Sequence, residues 1–108
     1  MAAVEIAGGD HAAAAKEWLE RHLDGRRAVI AEGLFAPIEL PPAVPLVRLA
    51  PGCVCCIGQL PLRVALTRLV RQHRPDHLLV LLADDAHRDR VRQLLADPQL
   101  GLVPRSAP

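Results

Sequence analysis

Short apolar runs alternate with stretches of helical period along the chain. Met1 to Ala7 reads as a first strand, ended by Gly8 and Gly9. From Asp10, whose short carboxylate side chain suits an N-cap, a helix is predicted to run to about Leu23. Alanines, Lys16, Glu17, Leu19 and Glu20 favour that state, and Asp24-Gly25 supplies a stop. Ala28 to Ala31 reads as a second strand and Leu46 to Leu49 as a short third, which delivers the chain to Pro51-Gly52. Between them, Gly33 to Pro45 is rich in proline and apolar residues without a period, as in a loop.

The best-defined helix follows. Pro61 suits its first position, and Leu62, Ala65, Leu66, Leu69, Val70 and His73 fall on one arc at helical spacing. Arg63, Thr67, Arg68, Arg71, Gln72 and Arg74 occupy the opposite arc, so the helix is amphipathic with a solvated basic face. Pro75-Asp76 ends it. His77 to Leu82 is then a continuous apolar run, the pattern of a strand covered on both faces. A last helix is predicted from Ala86 to about Ala96, capped by Asp84 or Asp85, with Val91, Leu94 and Leu95 inward. Leu100 to Val103 can add an edge strand.

That order predicts an α/β fold, an open and mostly parallel sheet of four or five strands with helices on its faces. Residues 1–108 read as one domain, with 103–108 a frayed tail. A chain of 108 residues can bury a core without disulfide staples. With no Tyr, one Trp and one Phe, that core is expected to be aliphatic, with Trp18 inside it. The net charge of +1 argues against nucleic-acid binding as the main task. No run is long enough to cross a bilayer, and the acidic N-terminus, with Glu5 and Asp10, does not read as a signal peptide. The expected compartment is the cytoplasm, which also suits an odd number of cysteines.

Those cysteines carry the chemistry. Cys53, Cys55 and Cys56 follow Gly52 between a predicted strand and a predicted helix, where a loop can turn several side chains toward one point. Thiolates suit zinc in tetrahedral geometry, and Cu(I) also favours sulfur. Three ligands leave a fourth position for water, a distant His or Glu, or a second chain. Redox pairing and simple burial remain as other readings. Adjacent Cys55 and Cys56 have Cα atoms about 3.8 Å apart, which would strain a vicinal disulfide.

The segment from Leu49 through Cys56, followed by Leu60 to Arg74 and by Pro75-Asp76-His77-Leu78-Leu79-Val80, resembles the central part of the CobW-type metallochaperone GTPases. In that family a Gly-Cys-x-Cys-Cys motif follows a strand inside a P-loop α/β domain and binds zinc or a related metal. The resemblance implies a truncated P-loop-NTPase-like domain, with Cys53, Cys55 and Cys56 as metal ligands. Glu32 stands where the family has an acidic residue near its metal and nucleotide sites. It is therefore a candidate fourth ligand, against the commoner reading of an exposed strand-end carboxylate. His87, and also His11, are further candidates because neutral imidazole is a common nitrogen ligand, although surface positions are commoner for both.

The nucleotide machinery departs from the pattern. With Gly9 as the leading glycine, Ala12 and Ala14 replace the later glycines, Ala15 replaces the lysine, and Lys16 stands where a Mg-binding hydroxyl belongs. Leu81 stands near the acidic end of the family's next strand, Asp84 near a glycine, and His87-Arg88 near a His-Pro pair. Asp84 and Asp85 read better as caps than as Mg²⁺ ligands. The expectation is a non-catalytic zinc-binding protein that holds or transfers the metal and needs no nucleotide. A second expectation is a pseudo-GTPase interaction module that docks on another protein, a CobW-type GTPase or other client, or on its own copy, through the apolar loop Leu34 to Val47. GTP hydrolysis is the least favoured reading.

Overall fold

The computed structural model describes residues 2–33, 38–49, 60–82 and 88–104. Its strands are β1 (Ala2–Ala7), β2 (Arg27–Glu32), β3 (Leu46–Leu49), β4 (His77–Leu81) and β5 (Leu102–Pro104). Its helices are α1 (His11–Arg21), α2 (Leu60–His73) and α3 (Arg88–Leu95), with a 3₁₀ turn over Pro98–Leu100. The strands form one sheet in the order β3-β2-β4-β1-β5, and every pairing is parallel, where the sequence predicts a mostly parallel sheet.

The central strands are apolar on both faces because both faces are covered. Alternation along β2 and β4 sends Ala28, Ile30, Leu78 and Val80, with Leu82 beyond, to a core shared with Leu62, Leu66 and Leu69 of α2 and with Val91, Leu94 and Leu95 of α3. Val29, Ala31, Leu79 and Leu81 face the opposite core with Ala15 and Trp18 of α1 and with Ile38 and Val44. Each fully buried Leu contributes roughly 2 kcal/mol. The crossover through α1 moves leftward along the strand order and those through α2 and α3 move rightward. Crossovers of one hand then require α1 on one face and α2 and α3 on the other, as observed.

Local chemistry sets the boundaries. The Asp10 side chain accepts from the Ala13 N–H at 3.2 Å and caps α1. The helix stops at Arg21, short of the predicted Leu23, and Leu23 is 76% exposed. α2 begins one residue before Pro61, and Arg74, at φ 46°, ends it in the left-handed region. His73, predicted on the apolar arc, is exposed. Leu100 belongs to the 3₁₀ turn, where Asp97 caps the Gln99 N–H at 2.9 Å. β5 realises the edge strand predicted near Leu100 to Val103, shifted to Leu102–Pro104, so that Val103 and Pro104 pair with β1 instead of fraying with the tail.

Two polar contacts fasten the α1 layer. Arg26 ends the turn before β2; its N–H donates to Asp76 Oδ2 at 2.9 Å, while its carbonyl accepts from the Asp76 and His77 N–H groups. Gly25 makes this possible at φ +87°, and a Cβ there would stand 2.8 Å from that same Asp76 oxygen. On β1, the buried Glu5 carboxylate accepts from Arg21 through both oxygens at 3.1 and 3.0 Å, and His22 Nε2 lies 3.3 Å away. The His22 ring stacks on His77 with centroids 4.3 Å apart. Burial pushes the Glu5 carboxyl up, but the Arg21 and His22 hydrogen bonds and their charges outweigh it, so the group sits below its ordinary value of 4.5.

Gly25→Ala combines a disfavoured φ with that close approach, and is expected to cost about 1–3 kcal/mol. Thermal melts are expected to show a Tm lower by roughly 4–8 °C for each kcal/mol lost in a domain of this size. Glu5→Gln is expected to cost about 1–2 kcal/mol at neutral pH, held down by the solvent exposure of Arg21. Because the folded pKa lies below the unfolded one, Glu5 stabilises fully above about pH 4.5, and that contribution fades as pH falls through the folded value. Urea titrations at a series of acidic pH values are expected to show a shallower loss of stability in the variant.

Candidate metal centre at the carboxyl edge of the sheet

An all-parallel sheet sends every strand's carboxyl end to one edge. The ends of β1, β2, β3 and β4 therefore converge there. Ala7 and Ala31 both register with Leu81, and Glu32 registers with Leu49. The Gly33 N–H donates to the Leu49 carbonyl at 2.7 Å, and the Leu82 N–H to the Ala7 carbonyl at 2.8 Å. Gly33 turns the chain out of β2 at φ 99°, a conformation open to glycine and costly for other residues. Between β1 and β4 the next helix lies on opposite faces of the sheet, so the crevice beyond these two strands is the topological switch point where open α/β sheets bind ligands.

Glu32 is the last residue of β2, one place beyond the predicted end of that strand, and only 1% exposed. The expected exposed strand-end carboxylate is therefore corrected: pairing with β3 draws Glu32 into the sheet. Carboxylates buried this deeply are paired or bind cations. His11 is corrected in the same way, from a surface residue to one 4% exposed. Its Nδ1 lies 3.2 Å from the Gly9 carbonyl oxygen and its Nε2 3.3 Å from that of Glu32. A neutral imidazole carries a single N–H and donates to one of these carbonyls at a time. His11 thus ties the turn after β1 to the end of β2. The sequence marks it only as a histidine at a helix start, because its acceptor lies 21 residues further on.

The turn from β1 to α1 spans Gly8, Gly9 and Asp10. The Asp10 carboxylate occupies the helix N-terminus, a position that favours anions, and its carbonyl accepts from the Ala14 N–H at 3.0 Å. Lys16 is exposed on α1 and borders a groove with Leu19, Glu20 and Glu39.

Cys53, Cys55, Cys56 and His87 lie outside the described residues, as do Asp84 and Asp85. Along the chain the cysteines fall between Leu49, the end of β3, and Leu60, the start of α2. Leu49 and Pro61 border one groove between β3 and α2, so the two sides of the cysteine segment are anchored close together. The described residues themselves contain no group of three or more His, Cys, Asp or Glu side chains placed to hold a metal ion. The predicted docking loop, Leu34 to Val47, is described from residue 38 onward. There Ile38 and Val44 are buried in the protein's own core, not displayed as apolar surface.

The zinc chaperone YeiR of Escherichia coli (strain K12) is similar to this chain, 40% identical over 47 residues. The match takes in 44% of this chain and 14% of YeiR, so it covers a small part of that protein's length. No family model matches the chain, and no solved structure matches it. No described helix is long and apolar enough to cross a membrane.

His11→Ala removes the side chain that reaches the Gly9 and Glu32 carbonyls. It is expected to lower stability by about 1–3 kcal/mol, the cost of buried acceptors losing a donor, as read from urea denaturation at neutral pH.

Proposed function

We propose that this chain holds zinc as cargo through the thiolates of Cys53, Cys55 and Cys56, in the cytoplasm and without a nucleotide. The partial similarity to a zinc chaperone carries this reading. The donor set supports it, because three thiolates within four residues match the ligand preference of zinc. Edge strand β3 ends four residues before Cys53, a reach of at most about 14 Å. That end is paired with Glu32, so a buried carboxylate stands beside the point where the cysteine segment begins. Glu32 is the favoured fourth ligand, and His87, six residues after the end of β4 in sequence, is the other candidate.

A site with three thiolates and one exchangeable position can release its metal to another protein, unlike a closed structural finger. The nucleotide-free part of the reading is supported by the lost P-loop residues and by the acidic cap. A phosphate at the start of α1 would meet the Asp10 carboxylate, while Lys16 lies further along the helix.

Protein purified under reducing conditions is expected to contain about one zinc ion per chain by elemental analysis, reflecting a single donor set. Changing all three cysteines to Ser is expected to abolish it, and Glu32→Gln to weaken retention against a chelator by roughly tenfold. Metal-free preparations, or equal zinc in the triple variant, would sink the proposal. In the same preparations labelled GTP with Mg²⁺ is expected not to bind; micromolar binding would restore a nucleotide-dependent mechanism.

A further inference from the structure

From Leu40 to Pro75 the chain contains no Asp or Glu, while Arg48, Arg63, Arg68, Arg71 and Arg74 all fall within that stretch. α2 (Leu60–His73) lies within it and carries Arg63, Arg68 and Arg71. Its inward residues Leu62, Leu66 and Leu69 are buried, which leaves Val64, Thr67, Arg68 and Arg71 as an outward stripe at i, i+3, i+4 and i+7. Arg63 is paired with Asp97 at 3.0 Å. Among the described residues, Arg68, Arg71 and Arg74 have no carboxylate within ion-pair distance. Val64 stands among these cations and is 44% exposed, one of a few large apolar side chains left open to solvent.

Beside this stripe runs a groove of about 300 Å³ between α2 and edge strand β3, bordered by Val47, Leu49, Val64, Ala65 and Arg68. Arg68 is therefore a rim cation over an aliphatic slot. A solvated basic helix face alone would need neither the slot nor the exposed valine.

We propose that this face of α2 is a docking surface for an acidic amphipathic helix of a partner protein. The partner's aliphatic residues would fill the slot beside Val64, and its carboxylates would meet Arg68 and Arg71. Helix-in-groove recognition uses anchors at this spacing, and charge complementarity selects an acidic partner. Nucleic acid fits less well: the groove is lined mainly by aliphatic side chains, Trp18 is buried, and among the described residues the ring at the groove is a single imidazole, His73, not a row of aromatic platforms that could stack successive bases. Leu49 and Pro61, which flank the cysteine segment in sequence, lie at this groove, so a docked partner would sit where the chain leaves β3 and enters α2 on either side of that segment. That last consequence, delivery of metal to the partner, rests on the zinc reading; the docking itself does not.

The test uses metal-free protein, so that failure of the zinc reading leaves it legible. Its probe is a fluorescein-labelled helical peptide with leucines at i, i+3, i+4 and i+7 and glutamates elsewhere, followed by fluorescence anisotropy. Saturable binding is expected, weakened at least about tenfold by Arg68→Glu with Arg71→Glu, and similarly by Val64→Asp. The charge-reversed protein is expected to gain affinity for the same peptide carrying lysines in place of glutamates. Circular dichroism checks that the variants fold. Arg68→Gln with Arg71→Gln serves if the reversed pair does not fold, and is expected to weaken binding in the same direction. Absent binding, equal binding by all variants, or equal affinity for a leucine-free polyglutamate would overturn the proposal. So would tighter binding of an oligothymidylate, or self-association of the free protein that these variants abolish, which would give the surface to a second copy.

Discussion

Parallel pairing between β4 and its two neighbours is the constraint on which the rest of the molecule depends. Neighbouring parallel strands cannot be joined by a tight hairpin, so each crossover must carry the chain back across a face of the sheet. The helices that do this cover both faces, and the covered faces in turn permit the unbroken Leu-Val run of β4. The same geometry collects the carboxyl ends of the strands at one edge. The end of β3, four residues before Cys53 in sequence, stands at that edge with Glu32 and His11 through topology and not through any local signal around the cysteines.

Most of the fold was legible because burial on two faces leaves a simple trace. Residues 77–82 could hardly be read otherwise, and the arc of Leu62, Leu66 and Leu69 located α2. Asp10 announced the start of α1, since capping depends on residues only three apart. What escaped the sequence reading depends on distant partners. Glu32 is buried because β3 pairs with the last residue of β2, and His11 because its ring reaches the backbone of that same residue. Neither contact leaves a periodic signature. His73 lies on the arc of Leu62, Leu66 and Leu69 by period alone and is exposed, because the helical period marks a direction and not whether a neighbour covers it.

Of the candidate site, donor chemistry was legible and placement was not. Three cysteines in four residues state a preference for soft metals wherever the chain puts them. Topology adds the neighbours, an acidic strand end and a histidine that tie three of the converging elements together. The α1 layer is fixed separately, through Glu5 with Arg21 and His22 on one side of the sheet and Asp76 with Arg26 at the opposite end of the strands. Chemistry at the carboxyl edge can therefore vary without loosening the polar contacts that hold α1 down.

The two edges of the sheet are unequal. β5 contributes three residues and ends in Pro104, which has no N–H to offer another strand. β3 is also short, four residues, but retains its backbone donors. Sheet growth from chain to chain, the usual hazard of open parallel sheets, is therefore discouraged on the β5 side by chemistry and limited on the β3 side only by length. The more adhesive border is thus the strand that directly precedes the cysteine segment in sequence, so any pairing of β3 with another chain would involve the strand that leads into those thiols.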